Sequence, residues 1–304
     1  MIINPAATAT NTRRHDVLIR ALGSELKLDV EHTRHRGHAE ELGRQAVTDE
    51  MDIVVAVGGD GTVNEVVNGL LADGPPDRLP ALGVVPGGSA NVFGRALGIA
   101  RDPVEATGEL LDALRAGRRR QVGLGRADER WFTFCAGFGL DAEVVREVER
   151  RRAGGTRASP SLFARTAVRQ FVATRTRRHP PLRLERPGEP AVEGLCLGIV
   201  SNTRPWTYLG GRPLVASPEA GIDTGLDLFA ARRLGVLSAG ATLVRMLAPR
   251  GRPADGRSML GLHDLDEFTL VADEPVAIQL DGEYVGDRLR MHLRSQPRAL
   301  TVLV

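Results

Sequence analysis

The sequence predicts an α/β domain followed by a mostly β domain, and three features carry that expectation. Residues 53–57 are a short apolar, β-branched run that ends in Gly-Gly and gives way to Val63, Val66, Val67 and Leu70, spaced by three and four. A strand covered on both faces and followed at once by a helix is the repeating unit of a doubly wound parallel sheet. Residues 81–85 repeat the arrangement and end in Pro86-Gly87-Gly88. Beyond Gly117 the chain changes to short strand-like runs separated by turns rich in Gly, Pro and Asp, as in a β-sandwich.

Taken in order, residues 1–4 are the end of a short strand, followed by a loop over 5–11 and a helix to about 25. A second strand is expected at 26–31 and a helix at 38–50. After the central strand, Thr62 stands where the next helix should start and caps or orients its first turn. Pro75 and Pro76 mark a loop, and helices follow at 91–97 and 102–116. In the second part, strands are expected at 121–124, 131–136, 182–186, 193–201, 226–231, 267–272, 276–280 and 288–293. Helices interrupt them at 141–152, 161–177 and 235–247. The domains are therefore residues 1–118 and 119–294.

With 304 residues, 42% of them hydrophobic, the chain can bury two cores. A net charge of +2 gives no global field of the kind that marks a nucleic-acid binder. Lys27 is the only lysine, and the arginine clusters at 118–120, 150–152 and 175–178 read as solvated helix ends or loops. Cys135 and Cys196 fit no metal spacing and read as reduced, buried thiols of a cytosolic protein. The seven histidines include no His-x-x-x-His pair, which argues against zinc. Asn4-Pro5 interrupts the apolar start, so no secretory leader is expected. No apolar run approaches the ~20 residues of a membrane span.

The chemistry concentrates at the two glycine turns. Gly58, Gly59 and Gly61 let backbone N–H groups approach a phosphate, and a helix N-terminus favours the negative charge. Asp60 is the odd member, because a carboxylate repels a phosphate unless a cation stands between them or it handles a proton. The plain alternative is a Gly-Asp-Gly turn with Asp60 as N-cap. A second turn at Gly87-Gly88-Ser89, on a neighbouring strand, would clasp one nucleotide from the other side.

GGDGTVNEV (58–66) and PGGSANVFGRALG (86–98) together resemble the diacylglycerol kinase catalytic domain, shared by bacterial soluble lipid kinases and sphingosine kinases. GGDGT alone also occurs in NAD kinases, which share the fold, so the second block is the discriminating one. Three later blocks extend the resemblance over nearly the whole chain. AGFGLDAEVV (136–145) is similar to the family's entry to the lipid side. SPEAGIDTGLD (217–227) is similar to a loop that holds a structural Mg2+ in some bacterial members. LDGEYVG (280–286) is similar to the Asp-Gly-Glu that faces the transferred phosphate. The family's architecture also implies a last strand, about 295–304, that returns to the first domain.

The resemblance implies ATP and Mg2+ as cofactors and a lipid at the membrane surface as substrate. It places Mg-ATP on Asp60, directly or through water. Nucleotide contacts fall on Asn4, Pro5 and Thr8, in a loop that lacks the family's Ser-Gly pair, and on Thr33 ahead of Gly37-His38-Ala39. They continue on Gly58, Gly59, Gly61, Thr62, Asn64 and Glu65, then on Gly87, Gly88, Ser89 and Asn91. Asp281 and Glu283 are both candidates for the base. A regular strand would point them to the same face, and the plain alternative is an Asp-Gly hairpin turn. Glu143, with Asp141 beside it, matches an acidic residue that meets the lipid headgroup in sphingosine kinases. Asp141 reads equally well as a helix N-cap, and Arg150 falls where that family has a phosphate-touching arginine. Trp206 and Tyr208 are either membrane-interface aromatics or packing beneath their loop. The structural Mg2+ site is expected to be absent, because the loop reads Asp223-Thr224-Gly225 and the second domain opens with Gly123-Leu124-Gly125.

The expected activity is ATP-dependent phosphorylation of a hydroxyl of diacylglycerol, a sphingoid-like or a related lipid. The expected setting is cytoplasmic, peripheral to the inner face of the membrane, with no specific nucleic acid and with a homodimer left open. Two rival readings are an NAD kinase-like small-molecule kinase and a basic binding module without chemistry. The second gives the two glycine turns and Asp-Gly-Glu no purpose.

Overall fold

Val55 and Val57 point from the central strand into one apolar layer with Ile3, Leu18, Leu22, Val85, Leu110 and Leu303, which explains why this run carries no polar residue. The structure is a computed structural model that describes residues 1–7, 12–73, 79–154, 160–173, 181–209, 211–232, 235–248 and 258–304. Thr8, the loop at Pro75 and Pro76, and the arginines at 175–178 lie outside the described residues. The chain divides into two units, Met1–Gly123 with Arg298–Val304, and Leu124–Pro297.

The first unit runs β1 (Ile2–Ile3), α1 (Thr12–Gly23), β2 (Glu31–His32), α2 (His38–Thr48), β3 (Ile53–Gly58), α3 (Asp60–Leu70), β4 (Ala81–Pro86), α4 (Val92–Ala96) and α5 (Pro103–Ala116). Its strands are parallel in the order β2-β1-β3-β4, and Val302 from the end of the chain pairs parallel beside Leu82. The strand expected at 26–31 is reduced to Glu31–His32, because β1 offers only Ile2 and Ile3 to pair with. Leu28 and Val30 still pack against the core. Asp102 caps α5 by accepting from Val104 N at 2.9 Å and Glu105 N at 3.3 Å. Thr62 does not start α3; Gly59 is the N-cap, Asp60 the first helical residue, and Thr62 is buried in the first turn.

The second unit continues from β5 (Arg119–Ala127), whose first residues belong to the first unit, through β6 (Arg130–Phe132), β7 (Cys135–Gly139), α6 (Leu140–Ala153) and α7 (Pro160–Ala173). It goes on through β8 (Leu182–Arg186), β9 (Glu189–Leu195), β10 (Leu197–Ser201), β11 (Thr207–Leu209), β12 (Arg212–Leu214) and β13 (Leu226–Ala231). It closes with α8 (Val236–Met246), β14 (Met259–Leu265), β15 (Glu267–Leu280) and β16 (Glu283–Leu303), whose residues from Arg298 on belong to the first unit. The two strands expected at 267–272 and 276–280 are one strand, with its register shifted between Val271 and Val276. Asp273-Glu274-Pro275 falls in that shift, where a proline without an N–H does least harm to the ladder. Before the shift β15 pairs with β8, and after it with β7. From β7 the antiparallel order continues through β10, β13 and β14. Phe138, Leu184, Val200, Phe268, Leu270 and Leu293 fill the core of this β unit. The other side of β10 and β13 is covered by Leu214, Met246 of α8 and Phe171 of α7. Trp206 packs inward on that same cluster, so packing is the reading of it that holds.

Candidate functional site

β3 and β4 are parallel neighbours in register to their last residues, Gly58 opposite Pro86, so the turns that follow lie side by side. Gly87 N donates to Gly58 O at 2.7 Å. A Cβ on Gly88 would stand 2.7 Å from Gly59 Cα, so the two backbones touch and no side chain fits between them. Asn91 braces the second turn from a left-handed conformation, φ 48°. Its Oδ1 accepts from Gly88 N at 2.9 Å and its Nδ2 donates to Gly88 O at 2.8 Å. Ser89 is exposed at the tip of the second turn. α3 begins on Gly59 without a side-chain cap, so its first N–H groups can take an anion. Asp60 is half-buried and does not act as the N-cap; its Oδ1 accepts from Phe93 N, in the first turn of α4, at 3.3 Å. It therefore ties the starts of two helices together beside both turns.

Several expected contact residues support these turns. Asn4 Nδ2 donates to Thr62 Oγ1 at 2.9 Å and Asn4 Oδ1 accepts from Ala6 N at 2.9 Å, which locks the N-terminal loop to α3. Pro5 is exposed in that loop. Glu65 is a correction, since its carboxylate accepts from Gly37 N at 2.9 Å and Ala39 N at 3.2 Å. It caps α2 and fixes the loop after Thr33, whose own N–H donates to Ile3 O at 2.9 Å. Asn64 is buried and accepts from Asn68 Nδ2 through its backbone oxygen at 2.9 Å and its Oδ1 at 3.1 Å. Both side chains leave α3 on flanks that face protein, which spacing from the glycines did not reveal.

In the second unit, Asp281 and Gly282 have φ of 49° and 79° and link the paired residues Leu280 and Glu283 in a two-residue turn. The expectation of two carboxylates on one face of a regular strand is thereby corrected, and the Asp-Gly hairpin is what forms. Asp281 is 4% exposed. Its Oδ2 accepts from Thr133 N at 2.6 Å and Thr133 Oγ1 at 2.8 Å, and its Oδ1 from Phe134 N at 2.9 Å and Cys135 N at 3.0 Å. A carboxylate has about four lone-pair positions, and these donors fill them. Burial pushes its pKa up, against donors that favour the anion. Glu283 is half-buried beside it.

Asp141 is the second residue of α6, whose N-cap is Gly139, so the capping reading fails. Its Oδ2 accepts from Gln279 Nε2 at 2.9 Å and would lie 1.7 Å from a Cβ on Gly137. Burial pushes its pKa up to about 6, with the Gln279 bond opposing. Glu143 is half-buried on the same helix. Arg150 is not brought to Asp141. Nine residues of helix separate them by roughly 13 Å, and Arg150 pairs with Glu147 at 2.7 Å. In the Asp223-Thr224-Gly225 loop, Thr224 Oγ1 donates to Gly221 O at 2.9 Å. Asp227, 2% exposed, accepts from His263 Nδ1 at 2.7 Å and Asp264 N at 3.2 Å. Sequence reasoning missed Thr133, Gln279 and His263. Only Gln279 left a signal, as a polar residue inside the apolar run 276–280.

Residues 1–127 match the family described as the diacylglycerol kinase catalytic domain. The first part of the chain is thus similar to that catalytic domain. The match covers both glycine turns and ends at Ala127, ahead of Asp141 and Asp281. The diacylglycerol kinase of Bacillus subtilis (strain 168) is 27% identical over 291 residues, 94% of this chain and 89% of that protein. The diacylglycerol kinase of Staphylococcus aureus (strain MRSA252) is 35% identical over 149 residues, 48% of this chain and 45% of that protein. A putative diacylglycerol kinase from Bacillus anthracis str. Sterne superposes with a TM-score of 0.77 at 21% identity, covering 99% of this chain and 95% of that one. That likeness shows the shared fold, an α/β unit followed by a mostly β unit. The Bacillus subtilis and Staphylococcus aureus relatives both carry the name diacylglycerol kinase.

Proposed function

We propose that this chain transfers the γ-phosphoryl group of ATP to a hydroxyl of diacylglycerol or a related lipid such as a sphingoid base. The observation that carries the reading is the pair of glycine turns in backbone contact, with Asp60 between two helix starts. Phosphoryl transfer asks a protein mainly to position oxygens and to offset charge. The backbone N–H groups of the turns and of the first turn of α3 cradle the phosphates. Asp60 would hold Mg2+ by offering it a hard carboxylate oxygen. The ion, when bound, neutralises charge on the phosphates.

Because the lone pairs of Asp281 are filled, we assign it the work of holding the turn, and we assign proton removal to Glu283. The lipid hydroxyl gives its proton to the Glu283 carboxylate as its oxygen bonds the γ-phosphorus. The bond to the oxygen bridging the β- and γ-phosphorus atoms breaks, and ADP leaves with that electron pair.

No described helix is long and apolar enough to cross a membrane. α7 and α8 carry no Asp or Glu. They expose Val168 (67%) and Val244 (71%), with Arg165 and Arg169 also exposed on α7. Apolar side chains beside arginine on an acid-free face suit an anionic phospholipid bilayer.

The test is incubation with γ-labelled ATP, Mg2+ and mixed micelles of diacylglycerol or sphingosine, with NAD as a separate acceptor. Label in the lipid phase supports the reading. Label in NAD alone, or in no acceptor, overturns it.

A further inference from the structure

Gln279 sits on β15 between Ile278 and Leu280 and is 1% exposed, a buried polar side chain between two apolar neighbours along the strand. Its amide is used on both sides. Nε2 donates to Asp141 Oδ2 at 2.9 Å and lies 3.5 Å from Cys135 Sγ. Oε1 accepts from Gly282 N at 2.8 Å. The pair occupies the volume that a side chain at 137 would fill, since a Cβ on Gly137 would lie 1.7 Å from Asp141 Oδ2 and 2.6 Å from Gln279 Nε2. One amide thus joins a carboxyl on α6 to the backbone of the turn that presents Glu283.

We propose that Asp141 and Gln279 form a proton-operated latch on the Asp281–Gly282–Glu283 turn, held closed while Asp141 is ionised. A carboxylate only accepts hydrogen bonds, so it obliges Gln279 to turn its NH2 group toward α6 and its oxygen toward Gly282 N. A protonated Asp141 is a donor as well. The reversed amide then takes its O–H, and Gly282 N–H, inside a tight turn, loses its acceptor. Gln279 and Asp141 are positioning residues in this scheme. That the loosened turn slows a reaction rests on the kinase reading; the latch itself does not.

The surroundings leave Asp141 free to set this state. Cys135 is the ionisable side chain on β7, while β10 and residues 276–280 of β15 bring none. α7 brings Arg165 and Arg169, both exposed, and α6 brings half-buried Glu143 together with Arg146, Glu147 and Glu149, whose Oε1 accepts from Tyr284 N at 3.1 Å. The turn brings Asp281, with its four donors, and half-buried Glu283. Desolvation pushes the pKa of Asp141 up to about 6.

The experiment is a pH titration of the full 15N-labelled chain between about pH 4.5 and 7.5, following the Gly282 amide, with turnover of ATP and micellar diacylglycerol measured in parallel. The Gly282 resonance should move with a midpoint near 6. Turnover should fall about tenfold from its plateau at one unit below that midpoint, as a single titration requires. Both steps should be missing in Asp141→Asn, whose spectrum also reports that it is folded. A Gly282 resonance that stays fixed, or that moves equally in Asp141→Asn, overturns the latch. A resonance that moves while no lipid is phosphorylated at any pH supports the latch and overturns the kinase reading.

Discussion

Asp281→Asn separates holding the turn from doing chemistry. The left-handed φ of 49° suits Asn as well as Asp, so the backbone cost is small. The amide oxygen can keep Phe134 N and Cys135 N, and the NH2 group then replaces the oxygen that faced Thr133. Thr133 Oγ1 can rotate and accept from it, but Thr133 N, now at 2.6 Å from a carboxylate oxygen, is left facing a donor. One orphaned buried N–H costs about 1–3 kcal/mol. The three surviving bonds lose their charge assistance, while burial of a charge is relieved, and these offset in part. A net loss of about 2 kcal/mol lowers the melting temperature by roughly 4–8 °C in a unit of this size. Calorimetry of the variant beside Glu283→Gln is the assay. Glu283→Gln should melt like the parent and lose roughly 10²–10⁴-fold in turnover, the usual cost of a missing general base. Asp281→Asn melting at the parental temperature would refute the four-donor argument. If that variant also lost turnover while Glu283→Gln kept it, the base would be Asp281.

Asp60→Asn should keep the parental melting curve, since Asn can still accept from Phe93 N, and lose most phosphoryl transfer at saturating Mg2+; turnover near the parental value would remove Asp60 from the nucleotide side. The double variant Val168→Glu, Val244→Glu should sediment less with phosphatidylglycerol vesicles than the parent and equally little with phosphatidylcholine vesicles; unchanged sedimentation would clear α7 and α8 of membrane contact. Asp141 holds its proton more tightly folded (about 6) than its ordinary value of 3.8, so its contribution to stability is present below 3.8 and lost as pH rises through 6. Asp141→Asn should therefore gain on the parent in thermal melts as pH climbs from about 4 to 7, by at most about 3 kcal/mol; a difference that does not change with pH would show that Asp141 does not titrate with a raised pKa.

What the sequence determined by itself is whatever depends on neighbours along the chain. The apolar runs at 53–57 and 81–85 specify buried parallel strands, because a ladder covered on both faces leaves no place for a polar side chain. The glycines after them are legible for the same local reason, since a turn whose backbone must meet a ligand excludes Cβ atoms. Asp102-Pro103 announces the start of α5, and Asp281-Gly282 a hairpin. What only the tertiary structure decided is which partner each polar group meets across a long separation. Glu65 faces Gly37 and Ala39 across from another helix, so its place beside the glycine motif said nothing of its target. The runs 267–272 and 276–280 are legible as two strands, but they join different partners, and only those partners decide that one ladder crosses Asp273-Glu274-Pro275 without ending. Asp281 is one of two candidates for the base in the sequence, and it becomes a fully engaged acceptor because Thr133, Phe134 and Cys135 close on it from 146 to 148 residues away. A carboxylate's chemistry is set by how many donors surround it and how much water is excluded, and both are properties of the packed chain.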